Sequence, residues 1–337
     1  MKPSVAVVIP SWNAIDEIGA CLDSLREQTF KHRTYVVENG SSDGSAEFIA
    51  ESYPEVELLD QPVNLGFAGG VNVGIRQAME DGADYIALFN NDAIADSGWL
   101  KHLVSTMNQH DDAGIVTCAL LSGDGTKFDS SGDFYSSWGL AFPRDRDVPV
   151  AQSKAKSGYV FSGSGGASLY RTKALREVGL FDEDFFAYYE DVDISFRMQL
   201  AGWKVRLDTK AKARHFTGTT SGKIPGFTTY QSFKNMPLLL VKNVPARLFP
   251  GIAFRFMIAY TAIFVKAVLS GRGWPASKGF FRMLTLLPRK FVERWRIQRA
   301  RKVSTDYIKS IIVRDLPPNA HALRRLRDFL TPWRRSN

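Results

Sequence analysis

Two asparagines and a carboxylate follow directly on an apolar stretch in the first half of the chain. The run Tyr85–Phe89 leads straight into Asn90, Asn91 and Asp92. Polar groups at the edge of a buried strand are costly unless each of them finds a partner. They could form a turn that caps the strand, because Asn and Asp bond their own backbone there, or they could bind a ligand. These residues alone leave both interpretations open.

A second group of acids stands at Glu190 and Asp191, directly behind a run of aromatic residues. Acids are favourable at a helix N-terminus, and Asp193 with Arg197 has the i, i+4 spacing of a helical ion pair. Helix chemistry therefore accounts for Asp193. It accounts less well for Glu190 and Asp191, which remain candidates for a functional role.

A glycine-rich turn followed by a strand is predicted at VFSGSGGASLYR, residues 160–171. It is either an ordinary tight turn or a backbone kept bare so that a ligand can approach.

The apolar patterns around these residues alternate between the periods of strands and helices. Strands are predicted at 4–9, 34–38, 56–59, 85–89 and 114–120. Helices are predicted at 14–25 with Asn13 as N-cap, and at 45–52, 68–80 and 99–109. Strands that alternate with helices of about ten residues are typical of an open, mostly parallel α/β sheet.

In such sheets, ligands bind beyond the carboxyl ends of the strands. Polar residues cluster at four of these ends: residues 10–13, 38–44, 64–66 and 90–92. Four such clusters on one rim predict a crevice, with Asp92 where a ligand should lie. Residues 123–157 are rich in Gly, Ser and Asp and are predicted to form loops over the sheet.

The overall composition is that of a globular protein. A length of 337 residues suggests about two domains. Cys21 and Cys118 both lie within apolar patterns, which predicts reduced core residues and a reducing compartment. The opening residues Met1–Pro3 lead directly into a predicted strand, so we predict no signal peptide.

The charge is divided unevenly along the chain. Residues 1–203 carry 15 Lys and Arg against 30 Asp and Glu, whereas residues 204–337 carry 28 against 5. The net charges are therefore −15 and +23, and the two parts should have different partners.

The basic part becomes apolar with spaced cations after about residue 222. Its longest uncharged apolar run, Phe256–Val265, is ten residues long and too short to span a bilayer. Basic helices with Phe, Trp and Leu on their other face suit an anionic membrane surface. A helical bundle with a solvated basic face is the alternative. Nucleic acid is disfavoured, because the functional rim of the sheet is acidic.

Six motifs occur in a characteristic order: VVIPSWN, VVENGSSDGS, NLGFAGGVNVG, LFNNDA, SGSGGASLYR and FDEDFFAYYEDVDISFRMQLAGW. This order resembles that of inverting family 2 glycosyltransferases, most of all the rhamnosyltransferase-like branch that builds bacterial cell-surface polysaccharides. The resemblance covers about residues 4–220. It implies a GT-A catalytic domain at 1–222, with a donor-binding half at about 1–120 and an acceptor half at about 121–222. A basic helical region at 223–337 would follow and associate with the membrane.

The resemblance also assigns residues to the nucleotide-sugar donor. Trp12 is expected near the base, and Glu38 matches an acid that binds the pyrimidine imide N–H. The family usually has Asp at that position. The full implied set is Pro10, Ser11, Trp12, Asn13, Glu38, Asn64, Gly69, Gly70, Asn72, Asn90 and Asn91.

Residues 90–92 match the Asp-x-Asp metal motif of the family, with Asp92 as its sole carboxylate. One carboxylate suffices, because Mg²⁺ takes one or two protein carboxylates together with phosphates and waters. His215 matches a position that can add a metal or phosphate contact. Imidazole is a better ligand for Mn²⁺ than for Mg²⁺, so the implied cofactor is Mg²⁺ or Mn²⁺.

Sugar transfer also requires a base. A bound cation offsets the charge of the diphosphate leaving group, and a carboxylate takes the proton of the acceptor hydroxyl. The family motif places this base on Asp191, with Glu190 as its neighbour. We expect Gly165 and Gly166 to contact the acceptor.

The predicted function is thus inverting transfer of a sugar, with rhamnose favoured, from dTDP-rhamnose or a UDP-sugar to a lipid-linked glycan. The predicted location is cytoplasmic, peripheral on the inner face of the membrane. A nucleotidyltransferase is one alternative, but the first loop, PSWNAIDE, lacks the Lys or Arg it would need. A non-catalytic nucleotide- or membrane-binding module is another, and it would not need Glu190 and Asp191 beside a metal motif.

Overall fold

The computed structural model describes residues 2–218, 221–314 and 316. The strands are β1 (Val5–Ser11), β2 (Arg33–Glu38), β3 (Glu57–Asp60), β4 (Tyr85–Phe89), β5 (Ala93–Ala95), β6 (Ala113–Ser122), β7 (Phe128–Ser130), β8 (Asp133–Tyr135), β9 (Ala141–Pro143), β10 (Gly158–Val160), β11 (Ala167–Arg171) and β12 (Lys204–His215). The α-helices are α1 (Ile18–Arg26), α2 (Ser45–Ser52), α3 (Gly66–Glu80), α4 (Trp99–Gln109), α5 (Thr172–Val178), α6 (Glu190–Leu200), α7 (Phe227–Asn243), α8 (Phe249–Leu269), α9 (Gly273–Ala300) and α10 (Thr305–Ile311).

One large sheet runs in the order β10-β12-β6-β11-β4-β1-β2-β3. Its first half is parallel, because β1 pairs in parallel with β2 and β4, and β2 with β3. Strand β11 lies antiparallel between β4 and β6, and β12 is parallel to β6. The predicted α/β fold is confirmed, with a parallel first half and a mixed second half.

Helix α3 lies directly against the parallel strands because it is rich in glycine. A Cβ atom at Gly74 would lie 2.4 Å from a Val8 methyl group and 3.0 Å from Val37. A glycine inside a helix is about 1 kcal/mol less favourable than alanine. Here its absent side chain permits the close packing of α3 on β1 and β2.

Two local predictions were wrong. Helix α1 begins at Ile18 and its N-cap is Glu17. Asn13 instead has a positive φ of 47° and accepts a hydrogen bond from the Ser42 backbone N–H through its Oδ1. The segment 123–157, predicted as loops, contains the short strands β7, β8 and β9.

The C-terminal helices share a hydrophobic core with the segment that surrounds α6. Phe185 and Phe196 from the catalytic part pack in one cluster with Phe233 of α7, Phe256 of α8 and Met283 of α9. The predicted domain boundary at 222/223 stays a prediction. The last residues of the predicted C-terminal region, 317–337, lie outside the described part of the chain. Cys21 and Cys118 are free and buried, as predicted.

Helix α8 is longer than its uncharged run suggested, because it continues past Arg255 and Lys266 to 21 residues. Its mean hydropathy is 1.8, and among the described helices it alone has the length and composition to cross a membrane. Core helices of soluble proteins share those properties. One face of α8 is buried in the protein, and Arg255 Nε donates to the Ser137 carbonyl at 2.7 Å.

Candidate active site

A pocket of about 680 Å³ opens at the carboxyl ends of β1 and β4. This is the rim at which the four polar clusters were predicted to form a crevice. The pocket brings together most of the predicted site residues, namely Pro10, Ser11, Trp12, Asn64, Asn90, Asn91, Asp92, Gly165, Gly166, Glu190, Asp191 and His215.

The turn after β4 and the end of β12 meet at one end of the pocket. The His215 Nε2 atom lies 3.0 Å from Asp92 Oδ1, and the other ring nitrogen, Nδ1, lies 2.9 Å from Asp129 Oδ2. Antiparallel pairing of β5 with β12 sets this geometry, since it places Ala93 opposite His215. The Asn90 carboxamide nitrogen also contacts Nε2 at 2.9 Å.

These surroundings decide the charge of the imidazole. Burial alone would lower the pKa of His215, but the hydrogen bonds and charges of Asp129 and Asp92 outweigh it and raise the pKa to about 9. The imidazole is therefore held between two carboxylates as a cation when no metal is bound.

The same donor set fits a divalent cation. Asp92 Oδ1 and His215 Nε2 line the pocket 3.0 Å apart, the spacing of two adjacent ligands on one ion with bonds of about 2 Å. Asp129 holds the opposite ring nitrogen, which is how proteins orient a metal-ligating histidine. An ion at this position would replace the imidazole proton.

Sequence reasoning missed Asp129 and Arg146, which also line the pocket. Arg146 Nη2 lies 2.7 Å from Asp129 Oδ1, and Nε donates to the Asp129 carbonyl. Arg146 is the only Lys or Arg among the described lining residues. Asp129 lies on the short strand β7 and Arg146 in the loop after β9, and no periodicity in the sequence marked either of them.

A separate acidic cluster lies between the base region and α9. Oxygen atoms of Asp182, Asp184 and Glu293 lie within 4.8 Å of one another. The Lys290 ammonium already sits among them, 2.6 to 2.9 Å from all three carboxylates. This cluster is an ion-pair network with its cation supplied by the chain, and the geometry does not favour a metal ion there.

The predicted base lies at the start of α6. The Asp191 carboxylate accepts the Gly165 N–H at 3.0 Å and the Val192 N–H at 2.8 Å. Burial raises the pKa of Asp191, and these two backbone hydrogen bonds oppose the rise.

Glu190 is the less stabilised member of the pair. Its Oε2 atom is buried and has no hydrogen-bond partner among the described residues. Burial first, and then the charge of Asp191, raise the pKa of Glu190 well above its usual range. When the two share one proton, Glu190 carries it and Asp191 is the carboxylate, because Asp191 accepts the N–H groups of Gly165 and Val192 whereas Glu190 Oε2 has no hydrogen-bond partner among the described residues.

The glycine-rich turn connects the two ends of the pocket. Its Gly165 N–H donates to Asp191, and its Gly166 carbonyl accepts the Asn90 N–H at 2.9 Å. A Cβ atom at Gly165 would lie 3.2 Å from the Phe67 ring, and one at Gly166 would lie 3.0 Å from Asn90 Nδ2. A side chain at either position would thus require its neighbour to move by a few tenths of an ångström.

Five predicted donor residues lie outside the pocket lining, namely Asn13, Glu38, Gly69, Gly70 and Asn72. Glu38 is buried and accepts hydrogen bonds from the Ser41 N–H and the Ser45 hydroxyl. Burial raises the pKa of Glu38, and these hydrogen bonds oppose the rise. Its direct contact with a nucleotide base stays a prediction.

Of the other four, Gly69, Gly70 and Asn72 lie on α3, and Asn13 bonds the Ser42 backbone. A Cβ atom at Gly70 would lie 2.5 Å from the Asn39 carboxamide nitrogen, and one at Gly69 would lie 2.7 Å from the Leu65 Cβ. Asn72 is buried and its Nδ2 donates to the Phe181 carbonyl at 2.8 Å, which fixes α3 to the segment before the base. Donor contacts at these positions also stay predictions.

A crevice at the carboxyl edge of a half-parallel sheet, with one carboxylate beside an imidazole and another at the start of a helix, is the arrangement that the predicted GT-A fold implies. The comparisons agree. Residues 6–179 match the family model Glycosyl transferase family 2, and the chain belongs to this family.

Two relatives are rhamnosyltransferases. The chain is 27% identical over 245 residues to the N-acetylglucosaminyl-diphospho-decaprenol L-rhamnosyltransferase of Mycobacterium tuberculosis, which covers 66% of this chain and 78% of the relative. It is 25% identical over 255 residues to the dTDP-rhamnosyl transferase RfbF of Shigella flexneri, covering 72% and 82%. The predicted rhamnosyltransferase-type family 2 resemblance is confirmed.

Solved structures share the fold. Staphylococcus aureus TarS 1–349 in complex with UDP-GlcNAc aligns with a TM-score of 0.55 at 14% identity, covering 88% of this chain and 91% of that one. The mannosyltransferase PcManGT of Pyrobaculum calidifontis, in complex with GDP-Man and Mn²⁺, aligns with a TM-score of 0.54 at 14% identity, covering 89% and 86%. At this identity the likeness establishes the fold.

Proposed function

We propose that this protein is a metal-dependent inverting glycosyltransferase that moves a sugar from a nucleoside-diphosphate donor to an acceptor hydroxyl. One observation carries the proposal. A half-buried carboxylate, Asp191, and a carboxylate–imidazole pair, Asp92 and His215, face the same pocket and are joined through one glycine-rich turn.

Asp92 and His215 would hold Mg²⁺ or Mn²⁺, and the ion would offset the charge that develops on the leaving diphosphate. Trp12 and Asn64 line the wall expected to bind the nucleoside. Arg146 offers a cation for a phosphate group on the same side as Asp129.

Asp191 takes the proton of the acceptor hydroxyl. The oxygen then bonds to the anomeric carbon, while the bond from that carbon to the diphosphate oxygen breaks and its electron pair leaves with the diphosphate. Attack opposite the leaving group inverts the anomeric centre, and no covalent enzyme intermediate forms. A carboxylate with a raised pKa suits this role, because a base is most effective when its pKa approaches the working pH.

The relatives favour particular substrates. RfbF is named for dTDP-rhamnose chemistry, and the mycobacterial relative is named for transfer to N-acetylglucosaminyl-diphospho-decaprenol. We therefore propose dTDP-rhamnose as the donor, with a UDP-sugar as the alternative, and a lipid-linked glycan of cell-surface polysaccharide synthesis as the acceptor.

A lipid-linked acceptor requires access to a membrane. Large apolar side chains on α8 and α9 are exposed, among them Phe254, Leu269, Trp274, Phe281 and Trp295. Lys266, Arg272 and Lys278 stand in the same helices or between them. Apolar anchors among cations suit an anionic lipid surface. We propose a cytoplasmic protein, peripheral on the inner face of the membrane, with no nucleic-acid partner.

The decisive experiment combines binding and turnover. The melting temperature of the purified protein is measured with dTDP, UDP, GDP or ADP, each with and without Mn²⁺. A separate sample is incubated with dTDP-rhamnose and a polyprenyl-diphosphate GlcNAc acceptor. We expect a metal-dependent rise in melting temperature with dTDP or UDP, and release of that diphosphate as sugar is transferred. Release of pyrophosphate from a nucleoside triphosphate would instead identify a nucleotidyltransferase. Nucleotide binding without turnover of any donor would identify a non-catalytic module.

A further inference from the structure

The base loop, residues 185–189, immediately precedes Glu190 and Asp191 and is held in unusual backbone conformations. Phe186, Tyr188 and Tyr189 all have positive φ, at 61°, 69° and 72°. Non-glycine residues rarely adopt such angles. They persist only where the surrounding structure over-determines them.

The strain is greatest at Phe186, whose ψ is −61°. The Ala187 N–H donates to the Phe185 carbonyl at 2.7 Å, which closes a three-residue γ-turn at Phe186. The γ-turn with positive φ is rare and strained. Contacts from outside the base loop must therefore hold it.

Helix α7 supplies these contacts mainly through one side chain, beside the Lys234 ammonium, which donates to the Phe185 carbonyl at 3.2 Å. Asn235 is fully buried, and its Nδ2 donates to the carbonyls of Phe185, Ala187 and Tyr188 at 2.9, 2.9 and 2.8 Å. An amide nitrogen has two hydrogens, so the three carbonyls share them. The opposite amide orientation would point an oxygen at three carbonyl oxygens, and the surroundings therefore fix which end faces the base loop.

Helix α3 contacts the base loop from the donor side. The Ala68 N–H donates to the Phe186 carbonyl at 3.0 Å. A Cβ atom at Gly66 would lie 2.6 Å from that carbonyl oxygen and from the Phe186 ring. The base loop is thus held between the donor wall and the first C-terminal helix.

We propose that Asn235 is a positioning residue for catalysis: by holding the carbonyls of the base loop it sets where the Asp191 carboxylate lies relative to the acceptor. This rests on the proposed function in one respect, the role of Asp191 as base. It also assigns a catalytic task to a helix of the C-terminal region, which was expected only to associate with the membrane.

A second buried amide on α7 provides a matched control. Asn243 is fully buried, and its Nδ2 donates to Asp193 Oδ1 at 2.7 Å and to the Leu239 carbonyl at 3.3 Å. It has no hydrogen bond to the base loop. Asn243→Ala therefore removes a comparable buried amide from the same helix and reports the stability loss alone.

The experiment compares full-length Asn235→Ala, Asn235→Asp and Asn243→Ala. For each variant we measure kcat for sugar transfer, the Kd for the nucleoside diphosphate with Mn²⁺, the melting temperature, and hydrogen exchange across residues 185–190. Asn235→Asp keeps the shape and replaces the donor by an acceptor. We expect both Asn235 variants to lose about 10- to 100-fold in kcat, the scale of a displacement of roughly 1 Å, with faster exchange in the base loop and an unchanged Kd. Asn243→Ala should lose stability with kcat and loop exchange retained.

Equal kcat losses in the Asn235 and Asn243 variants at equal losses of melting temperature would overturn the proposal, and so would unchanged exchange in the base loop. Failure of the proposed base is distinguishable. If Asp191→Asn retains full turnover, that role is wrong, while loop exchange and nucleotide affinity in the Asn235 variants still decide whether Asn235 holds the base loop.

Discussion

Replacing Asp191 by Asn separates the chemistry of this side chain from its packing. The carboxylate accepts two backbone hydrogen bonds, from Gly165 and Val192. The carboxamide has one oxygen, so one of these N–H groups loses its acceptor. Leaving a buried donor unsatisfied costs about 1–3 kcal/mol.

An electrostatic gain opposes that loss. Burial is the largest cause that raises the pKa of Glu190 and of Asp133, and repulsion by the charge of Asp191 is the second. Together they raise the pKa of Asp133 to about 8. A neutral Asn removes this repulsion, and each pKa unit so recovered is worth about 1.4 kcal/mol. We therefore expect the free energy of unfolding to change by no more than about 2 kcal/mol, as measured by urea titration at pH 7.

Turnover should respond very differently. Asn keeps the size of Asp191 and one hydrogen bond, but it cannot take the proton of the acceptor hydroxyl. Loss of a general base lowers the rate by about 10²–10⁴-fold, which is about 3–5 kcal/mol in the activation barrier. The assay is single-turnover transfer with saturating donor, accompanied by calorimetry to show that donor affinity is retained.

Asp133→Asn is the control for this experiment. Asp133 does not line the pocket, and burial, followed by the charge of Asp191, raises its pKa to about 8, so Asn resembles the neutral form that these surroundings favour. Its kcat should stay within about threefold of wild type. Asp191→Asn with more than about a tenth of wild-type turnover, and with chemistry shown to be rate-limiting, would refute the assignment and transfer the role to Glu190.

Three further outcomes are expected. Asp92→Ala should abolish Mn²⁺-dependent donor binding in calorimetry, since residues 90–92 contain no other carboxylate; unchanged affinity would remove Asp92 from the metal site. Phe254→Ser and Phe281→Ser should each weaken flotation with anionic vesicles, because burying such a ring is worth about 1.5–3 kcal/mol. Val63, which is exposed between β3 and α3, is the control, and Val63→Ser should leave flotation unchanged. Burial acts to raise the pKa of Asp193, but the nearby charges of Lys242 and Arg197 outweigh it and lower the pKa. The ionised carboxylate therefore stabilises the folded state above about pH 4, and this stabilisation is lost as the pH falls below that value. The unfolding free-energy difference between wild type and Asp193→Asn, about 3–5 kcal/mol at pH 7, should therefore shrink at pH 3, and a constant difference would contradict this.

The parts of the site that follow strands could be predicted from the sequence. Asp92 was expected at a ligand-binding rim because the five apolar residues before it form a buried strand, and strand ends converge at one edge of a parallel sheet. Asp191 needed the family motif as well, because local chemistry alone left it beside Glu190. What distinguishes the two, the donors of Gly165 and Val192, comes from backbone positions that carry no side-chain signal.

Other contributions could not be predicted, because they depend on tertiary packing. Asp129 and Arg146 reach the pocket from an irregular segment whose path no periodicity fixes. Asn72 was assigned to the donor from a motif, yet its amide bonds the Phe181 carbonyl, since α3 and that segment pack together. Asn235 lies inside α7, whose sequence is apolar with a few polar residues and gives no indication of which polar side chain has a special role. Its importance depends on carbonyls about 50 residues earlier in the chain.

The fully buried Lys290 has a consequence for biosynthesis. Its ammonium bonds Asp182, 108 residues earlier and just ahead of the base loop. A ribosome releases the N-terminal part of a chain first, and that part begins to fold as it emerges. A nascent chain lacking α9 leaves Asp182 paired with Lys242 of α7 alone, and a buried ion-pair network that lacks one of its cations is destabilised. The parallel first half of the sheet can therefore fold early, while the ion pairs of Asp182 are completed only once α9 has left the exit tunnel. We therefore expect sugar transfer to begin only after α9 has been translated, about 100 residues after Asp182.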